Sequence, residues 1–461
     1  MIAFSACAGN VELQVDCAQS MGELRPLHGG NSGPLNYGGL VDLSAFHREL
    51  AIPYTRLHDC HWPNTDVVDI HCVFPDFKAD PEKPESYDFE RTDEYIKAIV
   101  NTGSKIVYRL GESIEHTAKK YHAHPPADYD KWAAVCVGIV RHYNDGWANG
   151  FRYNIRHWEI WNEPENRPAM WDGSDDDYYR LYGKASKAIK SRFPDVLVGG
   201  PAVGNSGETK NGAFHPTPFV TGFLDYCRRE SAPLDFFSWH GYSDDPDTFA
   251  ARARDVRWLL DNYGFKKTAS HLNEWNYLPR NDWGPMLLPG QGAARERIFA
   301  EIGGPQGAAF SAYVLMSIQD SPVDVANYFT AEIQGFGLFT FHAAPKKTFY
   351  AFKAFKILLD TPLRVEAKGA IAGSLAICAG VNPEKTEVHV LVSQFKQVDG
   401  PLKLAVRNLP WDGTIEYETS IVDADRDLKV TGSGKSTSKE LTLSEESKAP
   451  FVWLIKVRKS K

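Results

Sequence analysis

The sequence predicts a (β/α)8 TIM barrel carrying an appended β-sandwich, and three observations predict it. Between about residues 21 and 360, short apolar runs alternate with longer stretches of helical period, about eight times over. Links from helix to strand are short, whereas several links from strand to helix (59–89, 201–215, 275–290 and 318–347) are long. That asymmetry suits a barrel whose loops gather at one end to build a site. After residue 360 the helical period stops, and strand-like runs separated by turn signals such as Asn382-Pro383 and Asp399-Gly400-Pro401 take over. The expected division is 1–20 as a strand joining the sandwich, 21–360 as the barrel and 361–461 as the sandwich.

In order, residues 10–18 alternate apolar and polar positions (Val11, Leu13, Val15, Cys17), the pattern of a half-buried strand. Residues 24–27 read as the first barrel strand, leading into the glycine-rich loop 28–34. Strand two is expected over 53–58 and strand three over 105–110. Between them runs a helix over 90–101, which Gly103 stops. The helix over 129–143 puts Trp132, Val135, Cys136, Ile139 and Tyr143 on one stripe. Strand four ends at Glu163, held extended because Pro164 disfavours helical geometry at the residue before it. The helix over 175–193 repeats the stripe with Tyr178, Tyr182, Ala185 and Ile189. Strands five to eight are expected at 196–200, 234–239, up to Glu274, and 308–317, with helices at 216–231, 247–263, 291–302 and 348–360. The sandwich is expected to use strands at 374–381, 386–395, 402–406, 415–422 and 451–457.

A chain of 461 residues can bury a large core, and 43% hydrophobic with 24% charged residues is ordinary for a globular protein. A net charge of −8 without a Lys/Arg run argues against a nucleic-acid partner. No apolar run approaches the roughly 20 residues of a membrane span. The first nine residues lack the basic start of a signal peptide. Seven cysteines are an odd number, and most fall inside expected strands or helices. These points favour a reduced, cytoplasmic location; an exported form would need a leader already removed. Cys60 and Cys72 share a loop and are the one pair placed to bridge.

The chemistry centres on residues 156–166, Arg-His-Trp-Glu-Ile-Trp-Asn-Glu-Pro-Glu-Asn, and on 269–276, Ala-Ser-His-Leu-Asn-Glu-Trp-Asn. Strands four and seven lie across a barrel mouth from one another, so Glu163 and Glu274 are expected to face each other. Glycoside hydrolysis needs such a pair, one carboxyl to protonate the leaving oxygen and one to act as nucleophile or base. Glu163 then needs a raised pKa, which the charge of Glu274 and nearby tryptophans would supply. Glu165 competes locally for the acid role but lies beyond the proline. Asn162 can donate to a sugar 2-hydroxyl, and Tyr242 can donate to Glu274 and favour its charged form. Arg109 and Glu112 read as a mutual ion pair, or Arg109 as a clamp on a substrate carboxylate. Trp275 offers a flat face beside Glu274. His58-Asp59-Cys60-His61 matches no strong metal-ligand spacing, and the loop 28–34 lacks the residues of a phosphate cradle.

With these motifs the chain resembles glycoside hydrolase family 39, which contains β-xylosidases and α-L-iduronidases. Tyr54-Thr55-Arg56-Leu57-His58, Asn162-Glu163-Pro164, Phe236-Phe237-Ser238-Trp239-His240-Gly241-Tyr242 and the appended sandwich carry the resemblance. It implies Glu163 as general acid/base and Glu274 as nucleophile of a retaining enzyme. His58, Asn162, His240 and Tyr242 would line the sugar site, with Arg109 and Trp275 as further candidates. It implies a glycoside or oligosaccharide substrate and no metal or organic cofactor. An exo-acting, β-xylosidase-like enzyme is the first expectation. Uronidase, β-galactosidase and arabinosidase specificities are alternatives, as is a non-catalytic carbohydrate-binding barrel. The chain departs from the family at Glu165, where asparagine is usual, and in lacking a tryptophan platform at the expected end of strand eight.

Overall fold

The computed structural model describes residues 10–60, 64 and 67–460. Eight parallel strands close into a barrel in sequence order: Gly29–Asn31, Tyr54–Arg56, Lys105–Leu110, His157–Ile160, Leu197–Val203, Phe236–Ser243, Ala269–Tyr277 and Val325–Tyr328. Helices including Glu90–Asn101, Tyr129–Asn144, Asp175–Arg192, Pro218–Glu230, Thr248–Asn262 and Lys347–Leu358 cover it. The stripe on Tyr129–Asn144 is buried as its spacing predicts, at Trp132, Val135, Cys136, Ile139 and Tyr143.

Two strands lie elsewhere than expected. Strand one is Gly29–Asn31, inside the stretch that reads as a glycine-rich loop, and residues 24–27 precede it. A Cβ on Gly29 would lie 2.6 Å from the Ala326 carbonyl oxygen, and one on Gly30 would lie 2.7 Å from the Ala331 Cβ. Glycine is used here for close packing rather than for turning, which sequence cannot distinguish. Residues 308–317 form no strand but part of a helix, Pro305–Ser317, and strand eight is Val325–Tyr328. This helix is wedged between the barrel and the second sheet, where Ser393 Oγ donates to the Ala309 carbonyl at 2.6 Å. A helix buried on every side loses its polar stripe and reads like a buried strand.

The second sheet has nine strands, mostly antiparallel, around an apolar core of its own that includes Leu13, Val390, Leu404, Trp453 and Ile455. Residues Val11–Glu23 belong to it, parallel to Leu402–Arg407 and antiparallel to Leu363–Lys368. Strands Leu363–Lys368, Asp427–Ser436 and Leu441–Glu445 lie beyond those expected. Cys60 and Cys72 are both buried and do not bridge to each other. Among the described residues no helix is long and apolar enough to cross a membrane.

Candidate active site

The C-terminal ends of the strands converge on a buried arginine. Arg56, on strand two, is fully buried inside the barrel mouth. Its Nε donates to Glu159 Oε2 at 2.6 Å, its Nη1 to Asn31 Oδ1 at 3.1 Å and Glu274 Oε1 at 2.8 Å, and its Nη2 to Asn162 Oδ1 at 2.6 Å. Asn273 Nδ2 donates to the other oxygen of Glu159. A guanidinium presents a rigid fork of donors, so one side chain fixes residues from strands one, four and seven. Burial alone would disfavour its charge, but Glu159 and Glu274 more than restore it.

Glu274 reaches the mouth through a register shift. Strands six and seven pair Trp239 with Leu272 and then His240 with Glu274, skipping Asn273. Such a bulge re-aims a side chain, here bringing Glu274 beside His240. Its second oxygen, Oε2, accepts from Tyr242 Oη at 2.8 Å.

Glu163 is placed differently from the expectation. Strand four ends at Ile160, and Glu163 stands in the following turn with φ +40°, not extended. Trp161, two residues earlier, is also left-handed at φ +69°. The Glu163 amide donates to the Ala202 carbonyl at 3.0 Å, so strand five dictates the turn. Non-glycine residues held this way concentrate at functional sites. His240 Nδ1 lies 2.7 Å from Glu163 Oε1 and 3.5 Å from Glu274 Oε2. Oxygens of both glutamates and this nitrogen all lie within 4.8 Å of one another. Asn166 Nδ2 donates to Glu163 Oε2 at 3.0 Å.

The charge state of Glu163 also departs from the expected raised pKa. Burial pushes its carboxyl up, but the hydrogen bond and charge of His240, with Asn166 and Arg56, outweigh burial and hold it below the ordinary value. Burial pushes His240 down, and the charges of Glu274 and Glu163 lift it above its ordinary value. The two shifts together favour a proton on the His240 side of its 2.7 Å contact with Glu163.

His58 is buried, with Nε2 3.2 Å from Asp59 Oδ1 and 3.9 Å from Glu274 Oε1. Burial, with Arg56, Arg109 and His240 nearby, holds its pKa well below the usual histidine value, so the ring is neutral. Of the His58–His61 stretch, His61 lies outside the described residues.

Two expected sugar contacts have other partners. Trp275 is fully buried and packs on Phe249, Tyr328 and Phe352, between barrel and helices. Side chains alternate along a strand, so the neighbour of an inward glutamate faces out. Arg109 is fully buried and donates to Asp69 Oδ1 at 2.6 Å, not to Glu112. Glu112 instead accepts from the His71 backbone amide at 3.1 Å and meets the His71 ring.

Four residues without an expected role belong to the site. Arg56 and Glu159 were legible as charges at inward positions of otherwise apolar strands. Asn166 follows Glu165 in the same motif. Trp283, in the loop after strand seven, is 37% exposed and sets its ring edge-on to Tyr242 at 4.9 Å, with Phe336 beside it at 6.4 Å. It puts an exposed aromatic face next to the tyrosine that holds Glu274, and only its position in a long loop hinted at this.

The family model described as Glycosyl hydrolases family 39 matches residues 42–383, well over half of the chain. The chain belongs to that family. Two curated relatives of this family 39 chain are similar in sequence. One is a beta-xylosidase of Geobacillus stearothermophilus, 31% identical over 264 residues, covering 51% of this chain and 48% of the relative. The other is a beta-xylosidase of Caldicellulosiruptor saccharolyticus, 26% identical over 349 residues, covering 69% of this chain and 64% of the relative. The chain thus aligns with about half to two thirds of the length of each. Among solved structures, a glucosidase from Croceicoccus marinus superposes with a TM-score of 0.80 at 25% identity, covering 98% of this chain and 100% of that one.

Proposed function

We propose that this family 39 member is a retaining, exo-acting β-glycosidase of β-xylosidase type. The observation that carries the reading is the approach of Glu163 and Glu274, whose nearest carboxylate oxygens lie within 4.8 Å. Retaining glycosidases hold their carboxyl groups about 5–5.5 Å apart, too close for the water that an inverting enzyme needs between them. In this reading Glu274 is the nucleophile. Arg56 and Tyr242 each bind one of its oxygens and orient it. Glu163 is the acid/base.

Charge at Glu274 explains how the proton moves. As Glu274 bonds to the anomeric carbon its negative charge is consumed, and His240 loses the larger of the charges supporting its own proton. The proton then favours Glu163 across their shared contact and passes to the leaving oxygen. In the glycosyl-enzyme the Glu163 carboxylate takes a proton from water, which attacks the anomeric carbon and frees Glu274. Asn162, with its oxygen held by Arg56 Nη2, keeps its amide nitrogen to donate to the sugar 2-hydroxyl. His58 and His240 border the same space, and Trp283 offers the sugar an aromatic face.

The names of the two sequence relatives support xylosides as first substrates, and the glucosidase superposition favours including glucosides. The test is a panel of aryl β-xylosides, β-glucosides, β-galactosides, α-L-arabinosides and glucuronides, with product stereochemistry read by NMR. Turnover with first-formed β-product from a β-substrate is expected. Inversion, or no turnover alongside measurable sugar binding, would refute the reading. Glu163→Ala should still release good leaving groups in a first turnover, stall at deglycosylation, and give a β-azide product when rescued with azide. Glu274→Ala should be nearly inactive on every substrate.

A further inference from the structure

Glu165 follows the Asn162-Glu163-Pro164 motif directly, and its surroundings are unlike those of a surface glutamate. Its Oε1 accepts from the backbone amides of Gly204, at 2.6 Å, and Asn205, at 3.1 Å. Its Oε2 is buried without a hydrogen-bond partner. Both carboxyls close over the same glycine: a Cβ on Gly204 would lie 2.5 Å from Glu163 Oε1 and 3.4 Å from Glu165 Oε1. Two backbone donors thus pin one carboxyl against another, and no side chain except that of glycine leaves room for both.

Resting on the glycosidase reading above, we propose that Glu165 is a positioning residue for the acid/base, a second carboxyl locked beside Glu163 whose negative charge keeps a proton in the Glu163–His240 pair. Like charges this close disfavour simultaneous ionisation. Burial, and then the charge of Glu163, push Glu165 up to about 7, while the backbone amides of Glu165 itself and Asn205, and then His240, pull the other way. The titratable and charged groups that interact with it are Glu163, His240 and Tyr178, and Arg56 acts in turn on Glu163. Carboxyls that interact this closely lose their protons as a pair rather than singly. Below neutral pH Glu165 is protonated and silent. Above it, its charge resists loss of the last proton, the one delivered to the leaving group. An asparagine at this position would keep a polar neighbour but lose that resistance.

The test is the pH dependence of kcat/KM for the best aryl glycoside with wild type, Glu165→Gln and Glu165→Asn. Glutamine keeps an oxygen for the two backbone amides, and asparagine removes the charge while shortening the side chain. The alkaline limb of both variants should move down by about 0.5–1 pH unit, with the acid limb in place and KM within about threefold of wild type. Should the alkaline limb of both variants coincide with that of wild type, the inference is wrong. A rise in KM with an unmoved limb would also overturn it, making Glu165 a substrate contact. A wild type with no turnover on any glycoside would sink the underlying reading as well, so the two failures are distinguishable. Circular dichroism melting of each variant separates loss of fold from loss of proton control.

Discussion

Replacing Arg56 with methionine removes the guanidinium while keeping most of the side-chain volume. The structure sets the scale of the effect. Arg56 is fully buried and makes four hydrogen bonds, two of them to the carboxylates of Glu159 and Glu274. Glu159 is fully buried too, so after the replacement it keeps, among the described residues, only the Asn273 amide as a partner. Removing one member of a buried ion pair costs about 3–5 kcal/mol, because the other charge is left without compensation. Domain stabilities of about 5–15 kcal/mol make that a large fraction. Arg56→Met should therefore lose about 3–5 kcal/mol in urea unfolding, followed by tryptophan fluorescence of the barrel. Glu159→Gln in the same chain removes the stranded charge, so the double variant should be more stable than Arg56→Met alone. Catalysis should fall as well, since Arg56 orients both Glu274 and Asn162. An Arg56→Met loss under about 1 kcal/mol, or strict additivity with Glu159→Gln, would refute the view that this arginine organises the mouth.

Tyr242→Phe removes one hydrogen bond to the charged Glu274; at about 1.5–3 kcal/mol for such a bond, kcat/KM should drop about 10- to 150-fold with the fold intact. Trp283→Ala should raise KM several-fold and leave kcat nearly unchanged if the ring supplies ground-state stacking, as steady-state kinetics with the best aryl glycoside would show. Burial pushes the Glu332 carboxyl from 4.5 up to about 8, so the folded chain binds this proton more tightly than the unfolded chain. The stability this contributes is complete below pH 4.5 and is lost as pH rises through about 8. Asp59 and Glu112, each raised to about 7 by burial, act in the same direction. Urea midpoints should fall from pH 5 to pH 9, and Glu332→Gln should flatten that fall; an unchanged slope in the variant would count against it.

Repeating local patterns made the barrel legible. Strand three is found as the sequence predicts, over Lys105–Leu110, and the stripe on Tyr129–Asn144 packs inward, because period and burial coincide wherever one face meets one core. Strands one and eight misled for the opposite reason. Glycines at Gly29 and Gly30 answer to atoms on strand eight and the loop after it, and the helix Pro305–Ser317 is buried by a sheet more than sixty residues further on.

The site divides along the same line. By itself the sequence singled out the residue types of the proposed chemistry: two glutamates in the stretches of strands four and seven, each beside asparagine and tryptophan, on a scaffold that brings those stretches together. Only the tertiary structure decided which side chains face the cleft and where the protons sit. Trp275 turns outward by strand alternation and Arg109 is taken by Asp69, while the register shift before Glu274 sets that carboxylate beside His240. Glu163 falls below its ordinary value because His240 arrives from strand six. Protonation depends on distances and on water exclusion summed over several strands, and no local stretch of sequence contains those distances.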